Sequence, residues 1–132
     1  HMLNIDFYHK VNSQCPVKEY LDSLSPKLRT KTLRSIMLLE EFGTHLRMPY
    51  SAPIGNGIFE LRANVGNDIT RVLYFFIEGN TAILTNGFTK KTQKTPVQEI
   101  EKANQYRADY YEQNRSKEWL RWVILEIILM NS

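Results

Sequence analysis

Ile58-Phe-Glu-Leu-Arg62, then Ile69-Thr-Arg-Val-Leu-Tyr-Phe-Phe-Ile77, then a run over 81–88 form three strand-like segments that empty into Thr89-Lys-Lys-Thr-Gln-Lys-Thr-Pro96. Gly66-Asn67-Asp68 and Glu78-Gly79-Asn80 between them are compact turn signals, so the three strands are expected to form an antiparallel meander. Residues 72–76 are apolar on both faces of a strand and predict a central position, covered above and below. Arg71 interrupts this run. An arginine inside a sheet costs free energy unless an anion or hydrogen-bond partner meets it. That anion is either Glu60 or an RNA phosphate. The period of two puts Glu60 and Arg62 on one face, opposite Phe59 and Leu61.

Upstream, Leu3, Ile5 and Phe7 alternate with polar residues and suggest an opening strand. Pro16 suits the first turn of a short helix ending near Leu24. Ser25-Pro26 supplies an N-cap and a first-turn proline for a second helix, which should turn Leu28, Ile36, Leu39 and Phe42 inward and stop at Gly43. Residues 44–57 hold Pro49, Pro53, Gly55 and Gly57 without a sustained period, and read as a loop able to overhang a binding face. Downstream, Thr95-Pro96-Val97-Gln98 has capping-box spacing. It predicts a helix to about Asn114, with Val97, Ile100, Ala103 and Tyr110 on one stripe. The fold class expected is α+β: a small twisted antiparallel sheet with N-terminal helices packed on it and a C-terminal helix.

Two units are expected, a domain over 1–114 and an apolar helical extension over 115–132. The extension carries Trp119, Leu120, Trp122 and seven further apolar residues. It is shorter than the roughly 20 residues a membrane span needs, and Arg121 and Glu126 interrupt it. Packing on the body or on another chain is its expected use, with membrane-surface binding the lesser alternative. No membrane partner is expected.

The 132 residues are 42% hydrophobic and 23% charged, the balance of a globular domain that needs no disulfide or metal to hold a core. His1-Met2 reads as an expression remnant. A net charge of +3 permits a polyanionic partner without requiring one. The cations gather in two places. Lys27, Arg29, Lys31 and Arg34 read as a solvated helix face, whereas Arg62, Arg71, Lys90, Lys91 and Lys94 include two residues inside strands. The single cysteine, Cys15, excludes an internal disulfide and is expected to be a buried structural thiol. With no signal peptide visible, the cytoplasm is the expected location.

Phe59-Glu-Leu-Arg62, Arg71-Val-Leu-Tyr-Phe-Phe76 and Asn86-Gly-Phe-Thr-Lys-Lys-Thr-Gln-Lys-Thr-Pro96, in this order and followed by a helix, resemble the HigB-like (phage Gp49-like) branch of the RelE/ParE toxin superfamily. The resemblance implies the toxin of a type II toxin–antitoxin system with a RelE-like fold. It implies a ribosome-dependent endoribonuclease that cuts translated mRNA, inhibits translation and uses no metal or other cofactor. A helix-turn-helix, HigA-like antitoxin is the implied protein partner, with ribosome and mRNA as targets and DNA reached only through the toxin–antitoxin complex. The family's sheet arginines fall on Arg62 and Arg71, and its basic cluster on Lys90 and Lys91.

The chemistry suits these residue types. Arginine forks bind phosphate oxygens bidentately and stay charged. Lys90 or Lys91, crowded by cations, is a candidate for proton transfer. Glu60 is either a second base candidate or an ion-pair partner of the arginines. No tyrosine stands shortly after the basic cluster; Phe88 precedes it. The alternative function is a non-catalytic module of the same fold that binds an antitoxin or RNA.

Overall fold

The computed structural model describes residues 3–90 and 94–132. Its elements run β1 (Asn4–Phe7), α1 (Pro16–Ser23), α2 (Pro26–Phe42), a 3-10 turn (Gly43–His45), β2 (Ser51–Gly55), β3 (Ile58–Val65), β4 (Asp68–Ile77), β5 (Thr81–Lys90) and α3 (Val97–Met130). The five strands form one twisted mixed sheet in the order β1-β5-β4-β3-β2. The expected meander is β3-β4-β5. The opening strand β1 lies parallel to β5 at one edge, with Asn4 opposite Thr81.

Side-chain alternation sorts the sheet into two cores. On one face Leu61, Val72, Tyr74 and Leu84 meet Val17, Leu21, Leu28, Ile36 and Leu39 of α1 and α2. On the other, Ile58, Leu73, Phe75, Ile83 and Phe88 meet Ala103 of α3 and Tyr8. Central β4 is therefore apolar on both faces, and Val72, Leu73, Tyr74 and Phe75 are all at most 2% exposed. Gly87 serves this packing by having no side chain: a Cβ there would stand 2.2 Å from Tyr20 Cδ2. The Tyr20 hydroxyl then reaches Thr89 Oγ1 at 2.8 Å.

The helix signals resolve locally. Ser25 caps α2 by accepting from the Leu28 amide, with Pro26 in the first turn. Gly43 ends that helix at φ 56°, a left-handed value that glycine adopts without strain. Phe42 is a correction, since it is 48% exposed rather than in the core. Cys15 is a buried free thiol.

Three further expectations are revised. Residues 51–55, read as loop, are strand β2. Pro53 is tolerated because β2 is an edge strand paired to β3 alone, where a missing N–H removes no ladder bond. At the start of α3 the N-cap position is Pro96 and no side-chain cap forms. Thr95 instead turns its hydroxyl to Glu60, and Val97 is exposed. Finally, α3 does not end near Asn114. No glycine or proline occurs between 97 and 130, so one helix runs unbroken to Met130. Its contacts with the body include Tyr8 Oη donating to Asp109 at 2.5 Å and Gln113 donating to the His9 carbonyl at 2.9 Å. Beyond these the apolar side chains stand in solvent, Trp119 at 66% and Met130 at 83% exposed, instead of packing on the body. Among the described residues no helix is long and apolar enough to cross a membrane.

Candidate functional site: a buried arginine pair beside an open cleft

The β3-β4 register sets Arg62 directly opposite Arg71. Like charges so placed repel, so the pairing is unfavourable without an anion between them. Glu60, two residues before Arg62, supplies one carboxylate on the same face. Its Oε2 lies 3.4 Å from Arg71 Nε and 3.6 Å from Arg62 Nε. Its Oε1 accepts a 2.7 Å hydrogen bond from Thr95, which ties the segment entering α3 to the sheet. A second tie lies nearby, where Asn86 Nδ2 donates to the backbone and side-chain oxygens of Glu99 in the first turn of α3.

Arg71 is only 4% exposed, and Glu60 and Lys90 are 7% and 6% exposed. The Arg71 Nη1 group donates to the Thr70 carbonyl at 2.9 Å, but among the described residues its buried Nε finds no hydrogen-bond acceptor. Burial first, then the charge of Arg62, pulls the Arg71 guanidinium below its ordinary proton affinity, and Glu60 opposes both. Lys90 pairs with Ile69 on the register that puts Phe88 opposite Arg71, so its side chain emerges on the arginine face. Burial lowers its pKa below the ordinary lysine value of 10.5; Arg71 and Arg62 push the same way, and Glu60 partly offsets them.

Among the described residues Arg62 and Arg71 thus share the Glu60 carboxylate in a largely desolvated place. Arg62 and Arg71 line an open cleft of about 760 Å³ together with Met48, Asn64 and Asn67. The cleft exists because β2 covers only the first half of β3, with Ser51 opposite Leu61 as the outermost pair. An anion entering it meets the guanidinium groups of Arg62 and Arg71, while Lys90 stands on the same sheet face without lining the cleft.

Of the expected site residues, Glu60, Arg62, Arg71 and Lys90 come together here, and Lys91 lies outside the described residues. Thr95, Met48 and Asn64 were not foreseen. Thr95 is obscured by its cap-like spacing, whereas Met48 stands in the part of the expected loop that does overhang the cleft. The opposition of Arg62 and Arg71 was open to counting outward from the Gly66-Asn67 turn, since a two-residue turn fixes hairpin register.

Among curated proteins, no sequence matches the chain. The chain does match the family described as Phage derived protein Gp49-like (DUF891) over residues 19–108. That span runs from α1 into α3 and holds every side chain of the cleft. The architecture is consistent with a RelE-like fold, and the matched family, one of RelE/HigB-type toxins, implies an antitoxin partner. The chain belongs to the phage-derived Gp49-like family, which is associated with toxins of toxin–antitoxin systems.

Proposed function

We propose that this protein is the toxin of a type II system and a ribosome-dependent, metal-independent endoribonuclease that cuts mRNA during translation. The observation that carries the reading is the Arg62–Arg71 pair, opposed across two strands, under-neutralised by Glu60 and open to a cleft. In the proposed reaction the substrate 2′-hydroxyl attacks the adjacent phosphorus. The bond from phosphorus to the 5′-oxygen breaks, and a 2′,3′-cyclic phosphate and a 5′-hydroxyl result. Arg62 and Arg71 hold the non-bridging oxygens and stabilise the charge that grows on them. Lys90, and Lys91 beside it in sequence, are the proton-transfer candidates, Lys90 because its lowered proton affinity brings the neutral amine closer to working pH. Glu60 is assigned a positioning role, since both its oxygens are already engaged by the arginines and Thr95. The proposed partner in the resting state is a HigA-like helix-turn-helix antitoxin, and contact with DNA belongs to that complex.

Primer extension on a defined message in a purified translation system tests this, with wild-type protein, with Arg71→Ala and with ribosomes omitted. Cuts are expected only with wild-type protein on translating ribosomes, and Arg71→Ala should lower the rate by about 100-fold or more, the usual cost of losing one preorganised charge-stabilising donor. Intact message in every lane would instead leave a module that binds without cutting.

A further inference from the structure

Helix α2 carries four cations in its first nine residues and no carboxylate before Glu40. Arg29 is structural, because it donates to the carbonyls of Leu21, Asp22 and Leu24 and so closes the end of α1. Lys27, Lys31 and Arg34 play no such part. All three are exposed, and among the described residues none has a carboxylate within ion-pair distance. Their spacing of four and three residues puts them on one stripe of the helix, where like charges repel. Lys27 also sits in the first turn, the end at which the helix dipole disfavours a cation. Local stability argues against this stripe.

The stripe forms one wall of a groove of about 600 Å³, and the end of β3 at Asn64 and Val65 forms the other. Asn64 also lines the cleft of Arg62 and Arg71. The two depressions therefore adjoin around the β3 edge that β2 leaves uncovered beyond Leu61. We infer that Lys27, Lys31 and Arg34 are a track for the phosphate backbone of single-stranded RNA, continuing the strand whose reacting phosphate lies at Arg62 and Arg71. The inference rests on the reading of the arginine cleft as a phosphate site. The occupant is a polyanion that bends around a strand edge, which suits an unpaired strand and not a stiff duplex.

The test is equilibrium binding of fully 2′-O-methylated oligonucleotides, which cannot be cut, of four and twelve nucleotides. Wild-type protein is compared with the triple variant Lys27→Ala/Lys31→Ala/Arg34→Ala, and with Lys117→Ala/Arg121→Ala as a charge control on α3. Thermal unfolding verifies that each variant is folded. The triple variant should bind the longer oligonucleotide at least tenfold more weakly, with a slope of log affinity against log salt shallower by about 2, the value for three single-strand phosphate contacts. Its affinity for the shorter oligonucleotide should be unchanged. An unchanged salt slope, or equal weakening for both lengths, overturns the track. So does weakened binding of poly-glutamate with RNA binding intact, which would assign the stripe to an acidic protein partner. If wild-type protein cuts message while the triple variant keeps its slope, the track fails and the nuclease reading stands. If wild-type protein cuts nothing yet the triple variant shows the length-dependent loss, the nuclease reading fails and the track stands.

Discussion

The sheet face under α3 and the far half of α3 reverse the usual rule of burial in opposite senses. On the sheet, Glu60, Arg71 and Lys90 are buried; on the helix, Trp119, Trp122, Leu129 and Met130 are more than 60% exposed. Each inversion costs free energy to maintain, the first by desolvating charge and the second by hydrating apolar surface. Among the described residues, the pairing of Glu60 with the arginines compensates the first in part, whereas the apolar side chains of the second stay exposed. The difference teaches where an outside partner acts. On the proposed reading, Arg62 and Arg71 receive a small, strongly charged group that enters the cleft, in a geometry set by strand register. The exposed helix has no such frame.

The largest effect expected from breaking this comparison is on proton transfer at Lys90. Burial and the arginine charges depress its proton affinity, so the pH profile of cleavage should bend below the ordinary lysine value of 10.5. Lys90→Met should remove that bend and slow cleavage by about 100-fold. An unaltered profile in the variant would relieve Lys90 of the role. Folding stability carries the matching sign: the unfolded chain holds the lysine proton more tightly, so this contribution rises as pH climbs from the folded-state value toward 10.5.

Next comes Glu60→Gln, which keeps shape and leaves two opposed arginines without their counter-charge. Urea unfolding should show a loss of about 2 kcal/mol, the cost of leaving a buried charged group under-satisfied. Added sulfate should restore more stability to the variant than to wild type, because an anion in the cleft replaces the missing charge. A loss below about 0.5 kcal/mol, the range of ordinary surface substitutions, would mean the arginines do not depend on Glu60.

A smaller effect marks the boundary between the two regions. Tyr8 stacks on Tyr106 and donates to Asp109, so it holds the inner half of α3 against β1. Burial, then the bond to Asp109, raises the phenol pKa above its ordinary 10.0. The folded state thus keeps this proton where the unfolded chain loses it, and the contribution is full below pH 10.0 and fades as pH rises further. Tyr8→Phe should lose about 1 kcal/mol at neutral pH, and less of its stability than wild type does above pH 10.0. Parallel pH curves for the two proteins would detach Tyr8 from that loss.

Much of this was legible beforehand because the signals are local. Ser25-Pro26, Gly43 and the two turns each act within a few residues, and period two alone put Glu60 and Arg62 on one face. What escaped depends on distant partners. Pro53 argues against a strand unless the strand is known to be an edge, and edges are a property of the assembled sheet. Thr95 satisfies a cap pattern, yet a buried carboxylate 35 residues away offers its hydroxyl a better acceptor than the helix end does. The parallel pairing of β1 with β5 joins segments separated by two helices and three strands, and no short pattern encodes it. The end of α3 is hidden for another reason. The polar stretch Glu112-Gln-Asn-Arg-Ser-Lys-Glu118 weakens the apolar stripe, but helix propensity there needs no tertiary contact to continue.

The smallest expected effect is the sharpest test of the contrast. Residues 115–132 make no packing contribution to either core, and their side chains are exposed apart from the half-buried Val123. Deleting them should therefore change the unfolding free energy by less than about 0.5 kcal/mol, as expected for a segment outside the cores. The rate of RNA cleavage should stay the same, while binding of a hydrophobic dye should fall sharply. The polar surface of the body offers no substitute for Trp119, Trp122 and the leucines and isoleucines that follow. A deletion that unfolds the body or silences the cleft would mean that the helix is held against the sheet in solution, and that the two regions form a single structural unit whose charges and apolar surface are stabilised together.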